Sequence, residues 1–240
     1  MKQSFTFGGM NIAVRSMHLT PRIQQALASG HYENAERTAI TLHVMPQDRV
    51  LDLGGGIGCT GVVAGRIVGG ENLMILEANG DLIPDIAENL SANGVIGAEL
   101  VNAAVVADKA AKQISFFKSK GFWAGSLHAG NTTNSREIKV SAMPISALVS
   151  RFKPTVIICD TEGVETEIFR NNLPVHVRLI IMKLHPNLYD QAAIKILFDR
   201  LSLAGFSYLP RGSRGAVVCF GRKKNARSIS AGVVLNRVVR

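Results

Sequence analysis

Residues 50–61, Val50-Leu51-Asp52-Leu53-Gly54-Gly55-Gly56-Ile57-Gly58-Cys59-Thr60-Gly61, decide the fold. An apolar run ends in a carboxylate, Asp52, and four glycines then fall within five positions. The run reads as a buried strand and the glycines as a tight turn whose backbone passes close to a ligand. Glycine suits such a turn because it accepts positive φ and has no Cβ to hold a ligand away. A helix from Cys59 to about Val68 then offers its first free N–H groups to the same spot. The pattern specifies a nucleotide-type cofactor site at the end of a strand.

Two cofactor classes compete for that site. Gly56-Ile57-Gly58-Cys59-Thr60-Gly61 fits the G-x-G-x-x-G pattern of dinucleotide folds, and Glu77 follows at about the spacing of a ribose-binding acid. Asp52 favours the other class. A carboxylate two residues before the glycines repels a pyrophosphate but suits the ammonium and sulfonium of S-adenosylmethionine (SAM). SAM is therefore the expected cofactor, with Asp52, Gly54, Gly56 and Gly58 at its methionine end and Glu77 on its ribose hydroxyls. Asn79 and Asp108 are expected near the adenine or ribose. An NAD(P)-binding oxidoreductase is the alternative.

Composition narrows the remaining classes. A chain of 240 residues supports one sizeable core, and 47% hydrophobic residues is ordinary for a globular protein. No apolar run approaches the ~18 residues that span a bilayer, and Met1 to Ser16 lacks the apolar core of an export signal, so a cytoplasmic enzyme is expected. Cys59, Cys159 and Cys219 are widely spaced with no C-x-x-C, which predicts free thiols and neither zinc nor disulfide. The net charge of +9 is carried by the ends. Every Asp and Glu lies between Glu33 and Asp199, whereas Lys2, Arg15, Arg22, Arg222, Lys223, Lys224, Arg227, Arg237 and Arg240 lie outside residues 33–221. A nucleic-acid enzyme more often builds its basic face from the folded body.

Alternation of β-branched runs with helical stretches predicts an α/β sheet. The expected strands are Arg49–Leu53, Leu73–Glu77, Ala98–Val106, Val156–Asp160, Leu179–Leu184, one near Phe206–Leu209, and Ala216–Phe220. Expected helices are Cys59–Val68, Asp81–Asn93, Glu165–Asn171 and Gln191–Ala204, preceded by a cap of Pro21–Ser29 and Glu33–His43. The short link Pro210 to Gly215 suits a hairpin between the last two strands. Five parallel strands closed by an antiparallel hairpin is the Rossmann-like class I methyltransferase fold, with seven strands in a mostly parallel sheet. The implied domains are an N-terminal helical cap (1–45), a SAM-binding domain (46–222) and a basic tail (223–240). Residues 110–147 are the least regular part, with a short strand at Ile114–Phe117 followed by a long loop from Lys120 to Arg136. That loop carries the single Trp123, suited to a lid or substrate wall.

A second cluster lies between Thr155 and His185. The apolar run Val156 to Cys159 ends in Asp160-Thr161-Glu162-Gly163-Val164-Glu165, and the next strand delivers His185-Pro186 to the same edge. Ligands of open α/β sheets sit beyond the carboxyl ends of the strands, so Asp160 and Asp52 face one crevice if their strands are neighbours. Carboxylates and an imidazole converging there supply a general base or metal ligands. Glu162 and Glu165 also suit the N-terminus of the helix that follows.

From about Gly30 to Arg222 the sequence resembles the FkbM-like SAM-dependent methyltransferases. The resemblance rests on Gly30-His31-Tyr32-Glu33, the Leu51–Gly58 stretch, Glu77-Ala78-Asn79, Asn89 with Asn93-Gly94, Asp160-x-Glu162-Gly163-x-Glu165, and His185-Pro186. It implies methyl transfer to oxygen, typically a hydroxyl of a sugar or secondary metabolite. One departure is Lys183, where such sequences usually carry a glutamate two residues before the histidine. The expected reaction is transfer of the SAM methyl group to a small-molecule or sugar hydroxyl. Asp160, Glu162 and His185 are the candidates for proton removal and acceptor positioning, and no residue is assigned to a metal. Lys183 is expected to lower the pKa of His185 if it reaches the cluster. A homodimer is compatible with this reading. A nucleic-acid methyltransferase using the basic termini is the other alternative, although no Asn-Pro-Pro-Tyr-type motif follows Asp160.

Overall fold

The strand predicted at Arg49–Leu53 forms as Val50–Leu53 (β3) in the interior of a seven-stranded sheet. The computed structural model describes residues 1–107, 112–118, 136–171 and 173–222. Asp108, Trp123 and the basic tail 223–240 lie outside the described residues. Across the sheet the strands run Ser207–Arg214 (β11), Val217–Gly221 (β12), Leu179–Lys183 (β10), Val156–Cys159 (β9), β3, Leu73–Glu77 (β4) and Glu99–Asn102 (β5). The five from β10 to β5 pair in parallel, and β12 inserts antiparallel between β10 and β11. This is the strand order of a Rossmann-like class I methyltransferase sheet, as the sequence predicts.

Both faces of the sheet are covered, which is why its strands read as unbroken apolar runs. Val50, Ile75, Ile158 and Ile181 face one core with helices α2 (Asn34–His43), α3 (Cys59–Val68) and α4 (Ile83–Ala92). Leu51, Leu53, Leu76, Ile157 and Met182 face the other, against α5 (Ile145–Phe152), α6 (Glu165–Ile168) and α7 (Gln191–Leu203). Each fully buried aliphatic side chain contributes about 1.5–3 kcal/mol.

Several expectations are corrected. The single strand Ala98–Val106 is two: β5 ends at Asn102, and Ala104–Val106 (β6) leaves for a separate three-stranded sheet with β7 (Gln113–Lys118) and β8 (Arg136–Pro144). β7 contains the predicted strand Ile114–Phe117, whereas β8 and the start of α5 fill the end of the stretch 110–147, where no element is expected. The strand near Phe206–Leu209 runs on to Arg214, with irregular register after Leu209 absorbing Pro210. Ahead of α1 (Pro21–Ala28) the chain forms a hairpin of β1 (Lys2–Phe7) and β2 (Met10–Arg15).

That hairpin is held by polar side chains spaced four residues apart on α4 and its C-cap residue Asn93, hence on one helix face. Asn89 accepts from the Ala13 N–H at 2.8 Å and donates to the Ala13 carbonyl at 3.0 Å. Asn93 does the same for Asn11, at 3.0 and 2.7 Å. Asp85 takes Arg15 Nε at 2.8 Å and meets His18 Nδ1 at 3.0 Å. The two amides replace the edge partner that β2 lacks.

Candidate functional site

Strand order reverses between β3 and β9, where Leu53 stands opposite Cys159, and the carboxyl ends at such a switch point are where α/β sheets bind ligands. A cleft of about 580 Å³ opens there. Gly54, Gly56, Glu77, Asp160, Glu162 and Lys183 line it from the sheet edge, and Tyr32, Glu33 and Glu36 line it from the start of α2.

The glycine turn is shaped first by the protein itself. Gly54 has φ +88°, its N–H donates to the Leu76 carbonyl at 2.9 Å, and a Cβ there would collide with the backbone carbonyl of Asp160. The Asp160 N–H in turn donates to the Leu53 carbonyl at 2.9 Å. Gly56 donates at 2.9 Å to Glu77 Oε2, and the Asn79 N–H donates at 2.7 Å to Glu77 Oε1. Burial pushes the Glu77 carboxyl up to about 7 despite these bonds.

Three of the expected cofactor residues stand differently from the pattern in the sequence. Asp52 shares the Val50 face of β3, is 1% exposed, does not line the cleft, and accepts from the Thr60 hydroxyl at 2.8 Å. Burial raises it to about 7 against that bond. Asn79 is buried off the cleft wall, where its side chain accepts from the Asp81 N–H. Gly58 is the left-handed residue before α3, behind the cleft lining. Asp108 lies outside the described residues.

On the second wall, Asp160, Glu162 and His185 converge as predicted, but their protonation differs from the expectation. Asp160 sits 3.0 Å from Lys183 Nζ and 3.3 Å from His185 Nε2. The histidine contact is an ion pair in distance without hydrogen-bond alignment, since Nε2 has no aligned acceptor. Burial opposes ionisation of Asp160, but His185 and Lys183 outweigh it and hold the carboxyl below its usual value. His185 Nδ1 lies 2.7 Å from Glu165 Oε1, a carboxylate with no exposed surface. Burial disfavours the imidazolium, yet the two flanking carboxylates raise His185 to about 9. The net field on the ring is therefore negative, and the expected lowering by Lys183 is outweighed by Asp160 and Glu165. His185 is also absent from the cleft wall and backs Asp160.

Glu162 has φ +29°, a left-handed conformation that costs a non-glycine residue about 1–2 kcal/mol. The next N–H, of Gly163, is held by Glu165 Oε2 at 3.1 Å. Strain of this kind concentrates at functional sites. Burial lifts the Glu162 carboxyl to about 7, so it exchanges a proton near neutrality.

Glu36 and the role of Glu33 were legible only as acids at a helix start, a position where the helix dipole already accounts for them. Their signal was that residues 1–32 contain no acid at all, so the pair opens the acidic part of the chain beside Tyr32.

No protein-family model matches the sequence. No curated protein matches it either. Among solved structures the chain is similar to a ribosomal protein L11 methylase from Lactobacillus delbrueckii subsp. bulgaricus (12% identity, 82% of this chain and 81% of that one, TM-score 0.48). It is similar to a precorrin-6y C5,15-methyltransferase from Geobacter metallireducens GS-15 (11%, 91% and 94%, TM-score 0.44). A third is the magnesium protoporphyrin IX methyltransferase from Synechocystis PCC 6803 with bound SAM (12%, 85% and 86%, TM-score 0.46). At these values no substrate or activity carries across to this chain.

Proposed function

We propose that the protein is an FkbM-like SAM-dependent methyltransferase acting on a hydroxyl of a small molecule or sugar. The observation that carries this reading is Glu77, a carboxylate at the end of β4 pinned by the Gly56 and Asn79 N–H groups on the wall of the cleft. Each of its oxygens keeps a lone pair for a ribose hydroxyl. The cleft is large enough for a nucleoside and an acceptor, and its acid-rich lining suits a sulfonium and disfavours the pyrophosphate of NAD(P) or a nucleic-acid backbone.

When bound, SAM supplies a methyl group already activated on sulfur. What remains for the chain is alignment and the removal of one proton. Glu162, titrating near 7 on the cleft wall, is the base that accepts the hydroxyl proton. Asp160, ionised, accepts a hydrogen bond from the acceptor and orients it. His185 holds Asp160 from behind as an imidazolium and is a positioning residue. Glu77 and the Gly54–Gly56 turn would hold SAM, which would give up its methyl group to the acceptor oxygen and leave as S-adenosylhomocysteine.

Isothermal titration with SAM and S-adenosylhomocysteine, followed by a methyl-transfer screen over small hydroxyl compounds, tests the proposal. Absence of binding by either nucleoside sinks it.

A further inference from the structure

Two cleft acids have no part in the chemistry above. Glu36 is only 7% exposed, yet its nearest cation, Lys183 Nζ, stands 4.0 Å from Oε1. That is beyond hydrogen-bond distance. Glu33 shares a hydrogen bond with Tyr32, but its Oε2 is buried with no partner among the described residues. The cations nearby are committed. Lys183 is bonded to Asp160, and Arg37 bonds the carbonyls of Tyr32 and Gly30 while lying over the Phe7 ring. Arg214 lines the cleft but forms no ion pair with either acid among the described residues. Asp160 thus has both Lys183 and His185, while Glu33 and Glu36 have no hydrogen-bonded cation of their own among the described residues.

A buried carboxylate oxygen without a donor is costly, and the cost disappears when a ligand brings the donor. A ligand ammonium supplies several donors at once and, unlike a neutral hydroxyl, a charge that favours the ionised form of both acids. We infer that an ammonium group of a ligand binds between Glu33 and Glu36, beside the Lys183–Asp160 pair. The inference rests on the methyltransferase reading and adds the recognition of charge to it. The ammonium comes either from the methionine end of SAM or from an amine on the acceptor. Asp52, the sequence candidate for the methionine end, is enclosed with Thr60 and leaves this role to the helix acids. Burial holds both acids above the ordinary carboxylate range, and an arriving cation would favour their ionised forms.

Titration of the wild type, Glu33→Gln and Glu36→Gln with S-adenosylhomocysteine and with 5′-methylthioadenosine separates the two sources. The second nucleoside keeps adenine, ribose and thioether but lacks the amino-acid end. If the cofactor supplies the ammonium, each variant loses about tenfold or more in S-adenosylhomocysteine affinity and none for methylthioadenosine. If the acceptor supplies it, both nucleosides bind the variants normally. Wild type loaded with S-adenosylhomocysteine then binds ethanolamine in preference to ethylene glycol, and the variants lose that preference. Thermal unfolding checks that the variants are folded, and removing a buried carboxylate should leave the midpoint at or above wild type. Equal loss for both nucleosides, or normal nucleoside binding with no preference for the amine, overturns the inference alone. A wild type that binds no S-adenosylhomocysteine overturns the methyltransferase reading and this inference with it.

Discussion

His185 and Glu165 are joined by a 2.7 Å contact between Nδ1 and Oε1, and this fully buried carboxylate makes the histidine a fixed cation behind Asp160. The same carboxylate holds the Gly163 N–H through its other oxygen. One buried acid therefore sets both the charge state of Asp160 and the turn that presents Glu162. The two carboxylates on the cleft wall are driven apart in acidity, Asp160 downward and Glu162 upward. In the proposed reaction, that divergence would separate an orienting anion from a proton acceptor.

Stability should respond to pH in two windows. His185 has a folded pKa of about 9, above its unfolded value near 6.5, so its contribution is complete below about 6.5 and lost as pH rises through 9. Asp52 and Glu77, raised to about 7, likewise lose their contribution as pH rises from about 4 to 7. Urea unfolding from pH 4 to 10 should show falling stability across both windows. His185→Gln should remove only the upper one, where the slope approaches roughly 1.4 kcal/mol for each step of one in pH. An unchanged upper slope in the variant would contradict the assigned imidazolium.

Replacing Glu162 tests strain against activity. Glu162→Gly relieves the left-handed conformation but loosens the unfolded chain, so stability should hold or rise by up to ~1 kcal/mol. Methyl transfer should fall by about 10² or more with the loss of a general base. A stable variant that keeps its turnover would remove Glu162 from the mechanism.

Glu77→Ala should weaken SAM binding and also cost stability. The Gly56 and Asn79 N–H groups lose their acceptor, worth about 1–3 kcal/mol for groups left unsatisfied. Calorimetry and denaturant unfolding on one preparation separate the two effects, and intact affinity would refute the ribose assignment.

Gly54→Ala should be far more damaging than Gly94→Ala. Both glycines have positive φ, but a Cβ at 54 meets the Asp160 carbonyl while one at 94 meets nothing within 4 Å. The Gly94 variant should lose about 1 kcal/mol for the left-handed conformation alone. The Gly54 variant should lose several times that and fail to bind SAM. Similar unfolding midpoints would mean the turn has room to shift.

Asn89→Ala should release the N-terminal hairpin. The side chain is fully buried and serves Ala13 twice and the Ile57 carbonyl at 2.9 Å. Loss of three bonds should cost about 2–4 kcal/mol. Hydrogen exchange at Ala13 should accelerate, and retained protection there would show that β1 alone holds β2.

The sheet was legible because each core strand is buried on both faces and ends in a turn or acid, a pattern that needs no tertiary information. The alternating β8 and the hairpin β1–β2 were hidden for the opposite reason. Their partners are β7 and the amides of α4, and no local run of residues announces a partner far along the chain. In the site, the convergence of Asp160, Glu162 and His185 followed from strand ends. The charge on His185 did not, because it depends on Glu165 turning inward. Asp52 and Asn79 were visible as polar residues near the cleft, yet spacing could not tell a wall from the layer behind it.

The Gly54 turn and Asp160 are spliced through backbone: amide to carbonyl on one side and a contact that excludes a methyl group on the other. Their amides should therefore exchange with solvent in a single opening event. It follows that the separation between the Gly54 turn and the Asp160 carboxylate is a fixed ruler. In the proposed reaction, a broader choice of acceptor would come from the side chains around Glu162 and α2, because lengthening the ruler would mean opening the sheet where β3 meets β9.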